Sequence, residues 1–121
     1  MTRAQTVEAS RRVLVVEDDY FIAKGLVRQL RASGIDVLGP AATVADALAL
    51  IGVEPLNGAV LDINLRGDFV FPVADALIER GVPFIFATGY GSATIPERYS
   101  GVTRCEKPSE PEVILSALFG P

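Results

Sequence analysis

Ala59-Val60-Leu61-Asp62-Ile63-Asn64-Leu65 is an apolar run with one carboxylate at its centre, flanked by Gly58 and Gly67. The run reads as a buried strand, and an ionised aspartate inside one would cost several kcal/mol. Asp62 is therefore expected where the strand leaves its sheet and meets solvent, a metal or a partner.

Upstream, Val13-Leu14-Val15-Val16 is a continuous apolar run rich in β-branched valine that stops at Glu17-Asp18-Asp19. Such runs suit strands covered on both faces, as in parallel sheets. From Tyr20 the period changes to four, with Ile22, Leu26 and Leu30 on one stripe, Lys24, Arg28 and Arg31 off it, and Gly34 as the stop. Ile35–Leu38 gives a second strand closed by Gly39-Pro40. Thr43 with Asp46 opens a helix that carries Val44, Ala47, Leu48 and Ile51. After the central strand, Pro72 starts a helix bearing Val73, Ala74, Leu77 and Ile78, ended by Gly81. Pro83–Ala87 is a fourth strand running into Thr88-Gly89. Residues 91–101 contain Pro96 and show no apolar stripe, so at most a short turn of helix is expected there. Val102–Cys105 is a fifth strand ending at Lys107-Pro108. Ser109 and Glu112 then read as a capping box for a last helix with Ile114, Leu115 and Leu118.

Five strands alternating with helices imply right-handed crossovers and an α/β, doubly wound parallel sheet with helices on both faces. The organisation expected is a flexible N-terminal leader over 1–11 and a single domain over 12–121, with no second domain. The 121 residues are half hydrophobic and 21% charged, enough for one core. A net charge of −4 disfavours nucleic acid and anionic membranes as main partners and favours basic partners or metal cations. No apolar run reaches the roughly 20 residues of a membrane span. The polar first dozen residues lack the apolar centre of a signal peptide, so a cytoplasmic location and no membrane insertion are expected. The single Cys105 reads as a buried structural thiol.

In doubly wound sheets the chemistry gathers beyond the C-terminal ends of the strands. Here those ends carry Glu17-Asp18-Asp19, Asp62 with Asn64, Thr88, and Lys107. Each has a simpler use alone: Asp18 or Asp19 as a helix cap, Asp62 in a turn, Thr88 as a cap, Lys107 as a solvated end. Together they form an acid cluster, and two carboxylates about 4 Å apart repel by roughly 4 kcal/mol at an effective dielectric near 20. A compensating hard cation fits, Mg²⁺ first and Mn²⁺ as a substitute. The absence of histidine and the position of Cys105 away from the cluster argue against zinc or copper. A carboxylate beside such an ion, with an ammonium and a hydroxyl nearby, meets the needs of phosphoryl transfer onto Asp62. The Asp is already ionised, so no general base is required, and Lys107 and Thr88 would steady the phosphoryl oxygens.

The motifs Val13-Leu14-Val15-Val16-Glu17-Asp18-Asp19, Leu61-Asp62-Ile63-Asn64-Leu65-Arg66-Gly67, the strand-ending Thr88 and Lys107-Pro108 occur in an order and spacing that resemble a response-regulator receiver domain (CheY-like) of two-component signalling. The resemblance runs from Val13 to about Leu118. It implies a flavodoxin-like sheet of strand order 2-1-3-4-5 and phosphorylation of Asp62 by a sensor histidine kinase. It also implies metal contact by Glu17, Asp18 and Asp62 with the Asn64 backbone carbonyl. Asp18 is then the more direct ligand, and Asp19 a helix cap or supporting acid. Phe86-Ala87-Thr88-Gly89-Tyr90 is similar to a Phe-Ala-Thr-Gly subgroup typical of alphaproteobacteria, whose members often stand alone. Two features depart from the general pattern. Arg104 stands where many receivers place a switching aromatic, and the fourth helix is expected to be shortened or irregular. Tyr90 and the loop to Gly101 are the alternative carriers of the conformational change.

The function implied is a single-domain response regulator that is not an enzyme beyond its own phosphoryl transfer and loss. It would signal by protein contact as a phosphorelay shuttle, a phosphate sink or an allosteric partner. Besides the kinase, a downstream phosphotransfer or effector protein is expected, and the state expected is a monomer or weak dimer. A phosphorylation-independent receiver-like interaction module is the main alternative. A nucleotide or flavin module is weaker, because Gly89-Tyr90-Gly91-Ser92-Ala93-Thr94 follows the fourth strand and lacks a third fingerprint glycine. An Asp-nucleophile phosphatase would need a second acid where Asn64 stands.

Overall fold

The computed structural model describes residues 11–89 and 95–120. In chain order they form β1 (Arg11–Val16), α1 (Tyr20–Ala32), β2 (Ile35–Ala41), α2 (Val44–Ile51), β3 (Gly58–Asp62), β4 (Asn64–Leu65), β5 (Asp68–Phe69), α3 (Phe71–Glu79), β6 (Phe84–Thr88), a 3₁₀ turn (Glu97–Tyr99), β7 (Arg104–Glu106) and α4 (Pro111–Phe119). The main sheet is parallel, ordered β2-β1-β3-β6-β7, which is the 2-1-3-4-5 order when only its own strands are counted. Four α-helices flank it. The fold is the flavodoxin-like α/β arrangement, with a single 3₁₀ turn, among the described residues, between the fourth and fifth strands of the sheet.

Alternation along β1 splits the core between the two faces. Val13 and Val15 pack with Val27, Leu30, Val60, Ile85, Ile114 and Leu118, so α1 and α4 cover one face. Leu14 and Val16 pack with Ala47, Ile51, Leu61, Val73, Leu77 and Phe86, so α2 and α3 cover the other. Every residue of β3 is buried, Asp62 included. That strand is the centre of the sheet, paired with β1 on one side and β6 on the other.

The register places the C-terminal ends level. Val16 pairs with Leu61, Asp62 with Ala87, and Thr88 with Glu106. The next residues along β1 and β7 are Glu17 and Lys107, so one edge collects Glu17, Asp62, Thr88 and Lys107.

Several local features differ from the sequence reading. Arg11, assigned to the leader, pairs with Ile35 and opens β1. On α1 the buried face is Ala23, Val27 and Leu30, while Ile22 is exposed; the small Ala23 carries little hydrophobic signal but turns its side to the sheet. Leu48 and Ile78, read as core, are also exposed. β2 does not stop at Leu38. A register shift lets it run through Gly39-Pro40 so that Ala41 pairs with Val16 and its carbonyl accepts the Glu17 N–H at 2.9 Å. The fifth strand of the sheet begins at Arg104 rather than Val102. Ser109 forms no capping box: its hydroxyl donates to the Glu106 carbonyl, and α4 starts at Pro111 with Glu110 at the cap position and no side-chain cap bond. Thr43 does cap α2, its Oγ1 accepting from the Asp46 N–H at 3.0 Å.

Gly39 is the most tightly enclosed of the described glycines. Its φ is +104°, and a Cβ there would lie 2.8 Å from the Val15 carbonyl oxygen. Gly25, inside α1, has nothing within 4 Å of the same construction. Gly39→Ala is expected to destabilise the fold by about 2–4 kcal/mol, and Gly25→Ala to leave it unchanged or stabilise it by up to about 1 kcal/mol. Urea denaturation of the two variants checks this; equal effects would contradict the described β1–β2 bulge.

Candidate functional site

Asp19 is the N-cap of α1, its Oδ1 accepting from the backbone N–H groups of Phe21 at 2.9 Å and Ile22 at 3.0 Å. This holds the acidic turn between β1 and α1 in place. Glu17, at its start, is only 5% exposed, and its Oε2 accepts the Asp19 N–H at 3.0 Å. Its other oxygen, Oε1, lies 2.6 Å from the Lys107 ammonium. The same Nζ is 3.2 Å from Asp62 Oδ1. One ammonium from the end of β7 thus bridges the carboxylates at the ends of β1 and β3. It is held there by its own backbone, since the Lys107 N–H donates to the Thr88 carbonyl at 2.8 Å.

Glu17, Asp18 and Asp62 each bring a carboxylate oxygen within 4.8 Å of the others. Glu17 and Asp62 therefore share one half-buried ammonium while, among the described residues, Asp18 is met only by the exposed Arg66, and each acid pair at that separation repels by about 3 kcal/mol at an effective dielectric near 20. Burial first, and then the charge of Glu17, push the Asp62 carboxyl up to about 7 against the opposing pull of Lys107. Burial works against the charge on Lys107, but the hydrogen bond to Glu17 and the charges of Asp62 and Glu17 outweigh it and hold the ammonium above its ordinary value. This donor set is all hard oxygen, partly desolvated and short of positive charge, and it fits a divalent cation of the Mg²⁺ or Ca²⁺ class.

After Asp62 the chain makes a hairpin that the sequence reading did not anticipate. β4 and β5 are joined by Arg66 at φ +55° and Gly67 at φ +99°, with Asn64 Oδ1 accepting the Gly67 N–H at 2.7 Å. Two positive φ values are the requirement of a type I′ turn. The turn sends Arg66 back toward the acids, with its Nη2 donating to the Asp18 carbonyl at 3.2 Å and its Nε 3.4 Å from Asp18 Oδ2. Arg66 was given no role in the sequence reading; the signal for it is its place immediately before a turn glycine. Thr88 is 4% exposed at the end of β6, beside Lys107. Arg104 is exposed on β7, where it pairs with Phe86. Tyr90 lies outside the described residues.

A second residue without a sequence-based role is Tyr99, 1% exposed in the 3₁₀ turn. Its ring stacks on Phe71 at 5.1 Å and meets Phe86 edge-on at 5.8 Å. Its hydroxyl donates to Asp75 Oδ1 at 2.5 Å and Arg98 lies over its ring. The hydrogen bond from Tyr99 first, and then Arg98, hold the Asp75 carboxyl below its ordinary value. This cluster fastens the segment before β7 to α3.

The solution structure of SdrG from Sphingomonas melonis Fr1 superimposes with a TM-score of 0.80 at 36% identity, over 91% of this chain and 97% of that one. A crystal structure of a response regulator protein from Burkholderia pseudomallei, with a phosphorylated aspartic acid, calcium ion and citrate, matches with a TM-score of 0.77 at 27% identity, over 89% of this chain and 66% of that one. The chain belongs to the response-regulator receiver family. Among curated proteins, the transcriptional regulatory protein PdtaR of Mycobacterium tuberculosis is 26% identical over 89 residues of this receiver, or 73% of its length. The receiver spans less than half of that relative, 43%. No protein-family model matches the chain.

The Asp62 carboxyl of this receiver has an unfolded value of 3.8 and a folded value of about 7. A carboxyl raised by folding contributes stability that is full below the unfolded value and is lost as pH rises through the folded one. Without divalent ions, Asp62→Asn is therefore expected to be more stable than wild type at pH 8, by about 1–2 kcal/mol after solvent screening, and to lose that advantage by about pH 4. Adding Mg²⁺ at pH 8 should close the gap by stabilising the wild type alone. Urea denaturation at the two pH values measures this, and a gap that does not change with pH would contradict it.

Proposed function

We propose that this receiver accepts a phosphoryl group on Asp62 from the phosphohistidine of a sensor histidine kinase and signals through protein contacts. The observation that carries the proposal is the Lys107 ammonium bridging Glu17 and Asp62 at a sheet edge that also presents Thr88. Lys107 holds Asp62 Oδ1, and the second carboxylate oxygen is the nucleophile. It bonds to phosphorus as the P–N bond of phosphohistidine breaks, and that electron pair leaves with the imidazole. The product is an acyl phosphate on Asp62. Lys107 then gains a phosphoryl oxygen as a partner, and the Thr88 hydroxyl supplies a donor to another.

Glu17, Asp18 and Asp62, with the Asn64 backbone carbonyl, would hold Mg²⁺, with Mn²⁺ as a substitute. When bound, the ion neutralises charge shared between the acids and the incoming phosphoryl group. The Burkholderia relative was solved with both a phosphorylated aspartic acid and a calcium ion, which supports reading this receiver as taking a phosphoryl group and a divalent cation. Arg66, anchored on Asp18, screens the outer side of the acids.

The similarity to SdrG and the run Phe86-Ala87-Thr88-Gly89-Tyr90 support membership of the Phe-Ala-Thr-Gly subgroup of alphaproteobacterial receivers. Such a protein would act in the cytoplasm as a single-domain regulator: a phosphorelay shuttle, a phosphate sink or an allosteric partner of a downstream protein. Its chemistry would be confined to its own phosphoryl transfer and loss. With Arg104 in place of the usual aromatic, the change at Thr88 would pass along β6 to Phe86 and Tyr99 rather than through β7, with Tyr90 contributing.

Intact-mass analysis after incubation with acetyl phosphate and Mg²⁺ tests the proposal. One added phosphoryl mass is expected for the wild type and none for Asp62→Asn. Lys107→Ala should label about tenfold to a thousandfold more slowly. Equal labelling of wild type and Asp62→Asn, or no labelling of either, would contradict it.

A further inference from the structure

Among the described residues Arg66 is the one non-glycine residue with a positive φ, at +55°. It takes the first of the two turn positions between β4 and β5, and Gly67 takes the second. Glycine and asparagine enter that conformation most readily, so the turn itself gives no reason for an arginine. A residue kept in this region points to a contact made elsewhere. Here the contact is with Asp18: the guanidinium donates to its carbonyl at 3.2 Å and lies 3.4 Å from its Oδ2.

The contact is not needed to hold either end in place. The backbone around Asp18 is fixed by Glu17, which accepts the Asp19 N–H, and by Asp19, which caps α1. The hairpin is closed by its own strand pairing and by Asn64 Oδ1 on the Gly67 N–H. What Arg66 brings to Asp18 is charge. Lys107 pairs with Glu17 and Asp62, so among the described residues Arg66 is the cation that Asp18 has. The two partners differ in exposure, 16% for the Asp18 side chain and 78% for Arg66. A guanidinium so far into solvent makes a weak, screened pair that exchanges easily.

We propose that Arg66 is an internal competitor of the divalent ion: it holds the Asp18 carboxylate, turns outward when the ion takes that carboxylate, and so sets the ion concentration at which the receiver loads. The proposal rests on the reading of Glu17, Asp18 and Asp62 as the residues that hold the ion. Charge balance gives the direction. Three ionised carboxylates against Lys107 leave two negative charges, which a divalent ion neutralises. With Arg66 still in place the pocket would be one charge too positive, so the guanidinium is repelled as the ion enters. Its exposure leaves it free to move into solvent. Arg66 touches no reacting atom, and its role is that of a positioning residue acting through Asp18.

The test titrates Mg²⁺ into the full, metal-free chain and follows the amide resonances of residues 17–19 and 62 together with the Arg66 Nε–Hε resonance. Two variants accompany the wild type. Arg66→Gly removes the charge and suits the positive φ, so the turn is kept, and Arg66→Lys keeps the charge without the planar fork. Arg66→Gly should bind Mg²⁺ about threefold to tenfold more tightly than wild type, with Arg66→Lys between the two. In the wild type, saturating Mg²⁺ should move the Arg66 Nε–Hε resonance to the position of a solvated arginine, a change that a merely structural contact would not show. Equal or weaker binding by Arg66→Gly, or an Nε–Hε resonance that stays in place at saturation, would overturn the competition alone. Wild type and Arg66→Gly that both leave residues 17–19 and 62 unshifted would overturn the reading of the three acids as the ion's holders, and the competition with it.

Discussion

The Lys107 ammonium, 2.6 Å from Glu17 and 3.2 Å from Asp62, is the contact on which the sheet edge depends. Glu17 and Asp62 are nearly buried at the ends of β1 and β3, where unpaired negative charge would oppose folding. Lys107 comes from β7, two strands away from β3, and reaches both acids across the end of β6. Removing the Lys107 ammonium would cost about 3–5 kcal/mol, because the acids would be left desolvated and unpaired. The level register of β1, β3, β6 and β7 is therefore an electrostatic requirement as much as a packing result. Even so, Lys107 and the exposed Arg66 bring two positive charges to three carboxylates. The residual charge favours a further cation, and the raised Asp62 carboxyl reflects its burial first and then the charge of Glu17.

Much of this edge was legible in the sequence because each functional residue directly follows or ends an apolar run. A buried parallel strand announces itself as a short β-branched stretch, and the polar residue that ends it is placed on the edge by topology alone. That is why Glu17, Asp18, Asp62, Thr88 and Lys107 could be gathered before any contact was known. What escaped depends on backbone geometry or tertiary contact. Arg66 reaches Asp18 only because two positive φ values reverse the chain after Asp62. Tyr99 sits in a segment with no periodicity, and its partner Asp75 is on α3. The face of α1 was displaced because Ala23 is small and Ile22 is large: the apolar signal followed Ile22, which lines a groove beside Glu17 and Lys107 instead of the core. Ser109 matched a capping pattern, yet its hydroxyl has a nearer acceptor in the Glu106 carbonyl, which closes the turn and delays α4 by one residue.

The same sheet edge connects to two further features, one on each face of the sheet. Thr88 ends β6, and two residues earlier Phe86 packs edge-on against Phe71 and Tyr99. Phe71 opens α3, and Tyr99 holds the turn before β7, so β6 is joined to both through rings in contact. On the other side of the pocket, Asp19 fixes the start of α1 and thereby the position of Lys24, Arg28 and Arg31 along it. The acid pocket is thus flanked by an aromatic cluster on one face of the sheet and a positively charged helix on the other.

The central claim is that folding leaves Asp62 short of positive charge and poised for a cation and a phosphoryl group. Its most direct test is the carboxyl-carbon NMR titration of Asp62 in the metal-free protein, repeated with saturating Mg²⁺. A midpoint near 7 without metal is expected, falling by more than about one unit when Mg²⁺ is present. A midpoint near the ordinary carboxylate value in both conditions would contradict the account.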